Sequence, residues 1–75
     1  MKTVWVVVEN GKVWGVAENK KIAYKMLKDY IELNYKDNHI AKIAATKCLN
    51  RTYNLYGTYF YIDKGIYTEE WAITE

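Results

Sequence analysis

The sequence predicts a two-layer α+β domain: a four-stranded antiparallel sheet built from two hairpins, with one or two helices on one face, in the order ββα(α)ββ. Three observations predict it. Two β-branched runs flank Asn10-Gly11, an amphipathic stretch follows Asn19, and a region rich in Tyr, Ile, Thr, Phe and Trp closes the chain. At 75 residues, 1–75 makes a single domain with room for one small core.

The first hairpin comprises Thr3–Val8 and Lys12–Ala17. Asn-Gly favours a type I′ turn, in which both central residues take positive φ. The register that follows pairs Glu9 with Lys12, Val8 with Val13, Val7 with Trp14, Val6 with Gly15 and Trp5 with Val16. Strand alternation then gives a smooth face of Val4, Val6, Val8, Val13, Gly15 and Ala17, and a bulky face of Trp5, Val7, Trp14 and Val16. Both faces are apolar, so both call for cover.

Asn19 is a good N-cap for a helix from Lys20 to about Tyr35. Ile22, Ala23, Met26, Leu27, Tyr30, Leu33 and Asn34 recur at steps of three and four, a stripe expected to pack on the smooth valine face. Lys28 and Glu32 form an i,i+4 ion pair in the less favourable order. Asp37 or Asn38 is placed to cap a shorter helix through Ile40, Ala41, Ala44, Ala45 and Cys48 to near Asn50. A loop with one helical turn is the rival over the same residues.

The second hairpin is expected from Thr52–Ile62 and Ile66–Thr74, with Asp63-Lys64-Gly65 as a type I turn and glycine bulge. With Ile62 facing Ile66, Tyr61 meets Tyr67, Tyr59 meets Glu69, Gly57 meets Trp71 and Leu55 meets Ile73.

The residues offer little chemistry. A single cysteine, Cys48, excludes an internal disulfide framework and a multi-cysteine zinc site. His39 is the only histidine. On one helix, nine residues set it about 13 Å along the axis from Cys48, beyond hydrogen-bond reach. Glu69 and Glu70 are neighbours on an expected strand and so point to opposite faces. No glycine-rich phosphate loop is present, and the chain is too short for a Rossmann domain or a barrel. The expectation is a protein that is not an enzyme and holds no metal or cofactor.

The longest apolar run near the start, Val4–Val8, ends at Glu9 and Asn10. A secretory core needs roughly 7 to 15 apolar residues and a membrane span about 20. The expected compartment is therefore the reducing cytoplasm, away from membranes, and Asn50-Arg51-Thr52 is read as a chance match to the glycosylation pattern.

The net charge of +2 is unevenly spread: residues 18–50 carry seven Lys against four acids, whereas 51–75 carry two basic residues against four acids. Lys20, Lys21, Lys25 and Lys28 make a basic helix face, which together with the aromatics supports nucleic-acid or nucleotide binding as the alternative function. Arg51 is the only arginine, although arginine is the usual reader of base edges.

The aromatics are the stronger signal, with eight Tyr, three Trp and one Phe in the chain. A sheet with helices on one side hides only one face, and Tyr, Trp and Phe are enriched in interface cores. The expected partner-binding surface is an aromatic sheet face of Trp5, Trp14, Tyr59, Tyr61, Tyr67 and Trp71, with Glu69 and Glu70 nearby. Its occupant is a protein partner or a second copy of the chain, giving a homodimer or larger homo-oligomer. A sequestering oligomer with small-molecule pockets at aromatic junctions is a third reading.

In its small size, its Asn/Lys/Tyr/Ile bias and the layout of Val4–Val8, Asn10-Gly11 and Asn19–Tyr35, the whole chain resembles the small accessory proteins of phages and mobile elements in low-GC bacteria. That group includes stoichiometric inhibitors of host defence such as anti-CRISPR proteins. The resemblance is one of style and rests on no family-specific motif. It implies a protein that binds and blocks a host component, in the host cytoplasm, without chemistry of its own.

Overall fold

The computed structural model describes residues 2–67. The elements run β1 (Lys2–Glu9), β2 (Lys12–Ala17), α1 (Lys20–Tyr35), α2 (Asn38–Cys48), β3 (Tyr53–Leu55) and β4 (Thr58–Tyr67). The four strands form one antiparallel sheet in the order β2-β1-β4-β3, so the long strands β1 and β4 pair at its centre. This is the expected ββααββ domain, with both helices packed on one side of the sheet.

Local signals set the ends of the elements. Asn10 and Gly11 both take positive φ, 50° and 82°, as a type I′ turn requires. The turn is also tied across the sheet: Asn10 N–H donates to the Tyr59 carbonyl at 2.8 Å, and Tyr59 N–H donates to Asn10 Oδ1 at 2.9 Å. Asn19 Oδ1 caps α1 by accepting from Ile22 N–H at 2.9 Å, and Asp37 Oδ1 caps α2 by accepting from Ile40 N–H at 3.0 Å. Residues 38–48 are therefore helix, and the rival loop is excluded.

The first hairpin departs from its expected register. Glu9–Lys12 and Val8–Val13 pair as expected, but the ladder then shifts, so that Val7 faces Gly15, Val6 faces Val16 and Trp5 faces Ala17. Trp14 is the extra residue of a β-bulge. Gly15 and Ala17 thereby join Trp5 and Val7 on one face. A Cβ on Gly15 would meet Met26 Cε of α1 at 2.8 Å, which places that face under the helix. The helices thus cover the Trp5/Val7 face, and the valine face expected to receive them is left without them.

The helical stripe is rotated to match. Ala23, Leu27 and Ile31 are buried, whereas Leu33 is 73% exposed and Ile22 is also exposed. Lys28 Nζ lies 3.9 Å from Glu32 Oε1, as the spacing anticipates.

The second hairpin is also built differently. The turn is Tyr56-Gly57, with φ of 51° and 90°, between Leu55 and Thr58, which pair with each other. Asn54 Oδ1 closes it by accepting from Gly57 N–H at 2.8 Å. The expected turn at Asp63-Lys64-Gly65 is instead continuous strand, because these residues pair with Val6, Trp5 and Val4 of β1. An eight-residue strand edge offers more hydrogen bonds than a local turn returns. Tyr61 accordingly meets Val8 rather than Tyr67, and Tyr59 meets Asn54. The rest of the expected strand Ile66–Thr74, from Thr68 onward, lies outside the described residues.

The core lies between the layers, where α1 packs on β1 and β2, and α2 on β3 and β4. Phe60, Leu27, Ile31, Val7 and Cys48 are its largest fully buried side chains. Small residues Ala41, Ala44 and Ala45 line the buried side of α2 and let its backbone approach closely.

Candidate functional site

Among the described residues, the side of the sheet away from the helices is an apolar surface that no element covers. Strand pairing assigns its members: Val4, Val6 and Val8 from β1, Val13 and Val16 from β2, and Tyr59 and Tyr61 from β4. Val13, Val8 and Tyr61 form one row across three strands, and Val16, Val6 and Asp63 form another. Val4 and Val8, in the central strand β1, are buried, but Val13, Val16 and Tyr59 are 42%, 40% and 51% exposed. Beside the start of β1, Lys2, Val4, Val16, Ala17 and Glu18 line a shallow groove of about 200 Å³. Lys2 Nζ and Glu18 Oε1 lie 3.7 Å apart at this end.

Of the residues expected on a partner-binding face, the structure brings Tyr59 and Tyr61 together here. Trp5 and Trp14 do not join them. Trp5 packs against the core under the helices, with Lys20 Nζ 5.3 Å from its ring centre. Trp14 stacks on Tyr30 of α1, with ring centroids 4.5 Å apart. The bulge explains the placement, since it frees Trp14 from the ladder and lets it turn to the helix. Tyr67 pairs with Lys2 in the strand ladder. Glu69, Glu70 and Trp71 lie outside the described residues. Sequence reasoning missed Val13 because it assigned that side to the helix; Val16, which it placed with Trp5 and Trp14 on the other side, comes to this face through the bulge.

The basic helix face is also redistributed. Lys28 lies between Asp29 at 3.8 Å and Glu32 at 3.9 Å, so its charge is locally balanced. Lys25 is exposed. Lys20 and Lys21 line a groove of about 400 Å³ with Tyr24 of α1 and with Thr46 and Leu49 at the end of α2. Thr46 also borders a second groove, with Lys47, Asn50 and Arg51. Lys47 and Arg51 had no place in the sequence-based basic face. Their position was implicit in two helices joined by a short connection, which sets the end of α2 beside the start of α1.

Cys48 and His39 lie at opposite ends of α2, the thiol buried and the imidazole exposed. Cys48 Sγ donates to the Phe60 carbonyl at 3.3 Å, and burial pushes its pKa up to about 11. A thiol so placed is a packing element, since a nucleophile needs thiolate and access. Tyr30 donates its hydroxyl to Glu9 Oε1 at 2.9 Å, and this bond, aided by desolvation, raises the Tyr30 pKa. Among the described residues, no group of three His, Cys, Asp or Glu side chains is placed to hold a metal ion. Among them, too, no helix is long and apolar enough to cross a membrane.

Comparison with known proteins finds no matching family model, no similar curated protein and no similar solved structure.

Proposed function

We propose that this protein acts by binding a protein partner on the helix-free face of its sheet, and that its output is to block that partner. The observation that carries this is the row Val13–Val8–Tyr61 with Val16 and Tyr59 beside it. It forms a contiguous valine and tyrosine surface with three members between 40% and 51% exposed. Contiguous apolar surface of this kind marks interaction sites, and tyrosine contributes large contact area at low entropic cost. The surface is carried on hydrogen-bonded paired strands, so little backbone ordering is needed on binding. The resemblance in style to phage accessory inhibitors favours a stoichiometric blocker of a host component as the biological role.

A photo-crosslinking residue at Val16 or Tyr59 tests this in cells. The expected result is one discrete adduct from these positions and none from Lys25 on the helix layer. An adduct of twice the chain mass identifies the partner as a second copy. Adducts that are absent, or that form equally from Lys25, would overturn the proposal. Tyr59→Glu is expected to remove the adduct formed from Val16 while the helical circular-dichroism signal remains.

A further inference from the structure

The start of α1 and the end of α2 form a second surface, on the layer opposite the docking face and independent of it. Lys20, Lys21, Lys47 and Arg51 surround two adjoining grooves that share Thr46, and among the described residues no acidic side chain lines either groove. None of the four cations is paired with an acid among the described residues. Lys47 and Arg51 suit the negative end of the α2 dipole. Lys20 and Lys21 occupy the first turn of α1, which contains no acid and where the helix dipole repels them. The fold therefore gathers four like charges with no acid paired to them among the described residues, two of them set against a helix dipole, an arrangement that an anion relieves.

The surface between the charges is apolar. Tyr24 and Leu49 lie in the first groove, about 400 Å³ in volume, and Lys20 is held over the Trp5 ring beside it. Cations around an apolar floor with an aromatic member match the two parts of an unpaired nucleotide, its phosphate and its base face. A fully hydrated acidic peptide would use the charges and leave the floor unused. From this juxtaposition we infer that the Lys20–Lys21–Lys47–Arg51 end of the helix layer binds single-stranded nucleic acid. The four cations contact the phosphate backbone and a base seats against Tyr24 and Leu49. Lys28, neutralised by Asp29 and Glu32, takes no part.

The test is fluorescence anisotropy of the full chain with a labelled oligothymidylate, titrated at several salt concentrations. Four phosphate contacts predict a slope of log K against log salt of about −3. Lys47→Ala with Arg51→Ala is expected to weaken binding about tenfold or more at low salt and to flatten the slope by about 1.4. Lys28→Ala should leave both unchanged. Tyr24→Ser should weaken binding about fivefold or more with the slope retained, since base stacking is sequence-tolerant but not ionic. Three results would each overturn the inference: no binding at low salt, equal loss from Lys28→Ala and from the Lys47/Arg51 pair, or equal affinity for polyglutamate or anionic vesicles. The circular-dichroism spectrum of each variant separates lost binding from lost fold.

Discussion

The rings of Trp14 and Tyr30 lie 4.5 Å apart between centroids, tilted by 31°, and join an edge strand to the middle of α1. Tyr30 in turn meets Phe60 edge-on at 6.3 Å and donates its hydroxyl to Glu9. An aromatic chain thus runs from the bulge of β2 through the helix to the core of β4. The same tryptophan that composition marks as a contact residue is spent on cohesion.

Trp14→Ala is therefore expected to act on stability. Trp14 is 36% exposed, so its loss should cost less than truncation of a fully buried aromatic, about 2 kcal/mol in urea unfolding. Tyr59→Ser, on the open face, should stay within about 0.5 kcal/mol. The reverse order would place Trp14 outside the helix contact.

Tyr30→Phe keeps the ring and removes only the bond to Glu9. Leaving a part-buried carboxylate without its donor should cost about 1–2 kcal/mol. In a double-mutant cycle with Glu9→Gln, a coupling energy near zero would show that the two groups do not interact.

The glycines distinguish a turn from a strand. Gly57 has φ of 90°, so Gly57→Ala should destabilise by about 1 kcal/mol or more. Gly65 lies in β4 opposite Val4, where an added Cβ would meet Val6 and Val4 side chains at 3.6 and 3.9 Å, ordinary contact distances. Gly65→Ala should be neutral or slightly stabilising, because alanine loses less entropy in a strand. A large loss there by thermal unfolding would restore the turn at Asp63-Lys64-Gly65.

Stability should fall in alkali, with Cys48 contributing. Its folded pKa, about 11, lies above the unfolded value near about 8.5, so between them the native state holds more protons than the unfolded chain. The stabilisation is complete below the lower value and is lost as pH rises through the upper one. Tyr30, also raised, adds a loss in the same direction at higher pH. Urea unfolding from pH 8 to 11 should show this decline, flatter in Cys48→Ala. Below pH 8, an aromatic disulfide reagent should label Cys48 only at the rate of opening of the fold.

Much of the fold was legible because its signals are short-range. Asn10-Gly11, Asn19 and Asp37 each satisfy backbone groups within a few residues, so the first turn and both helix starts follow from local chemistry. The Tyr56-Gly57 turn carried a comparable signal in Asn54, but the Asp-Lys-Gly sequence downstream competed with it. The candidate surfaces were less legible. Tyr59 and Tyr61 were found from composition and alternation, whereas Val13, Val16, Lys47 and Arg51 depend on which elements become neighbours.

By itself the sequence determined an α+β domain of two hairpins with one or two helices on one sheet face, and with more apolar and aromatic surface than one covered sheet face hides. Only the tertiary structure decided which face is covered. One extra residue, Trp14, shifts the ladder and puts Gly15 under Met26, and eight residues of β1 draw Asp63-Lys64-Gly65 into a strand. Both choices rest on contacts between residues far apart in the chain. Alternation fixes which side chains share a face, but the packed partner fixes which face goes inside.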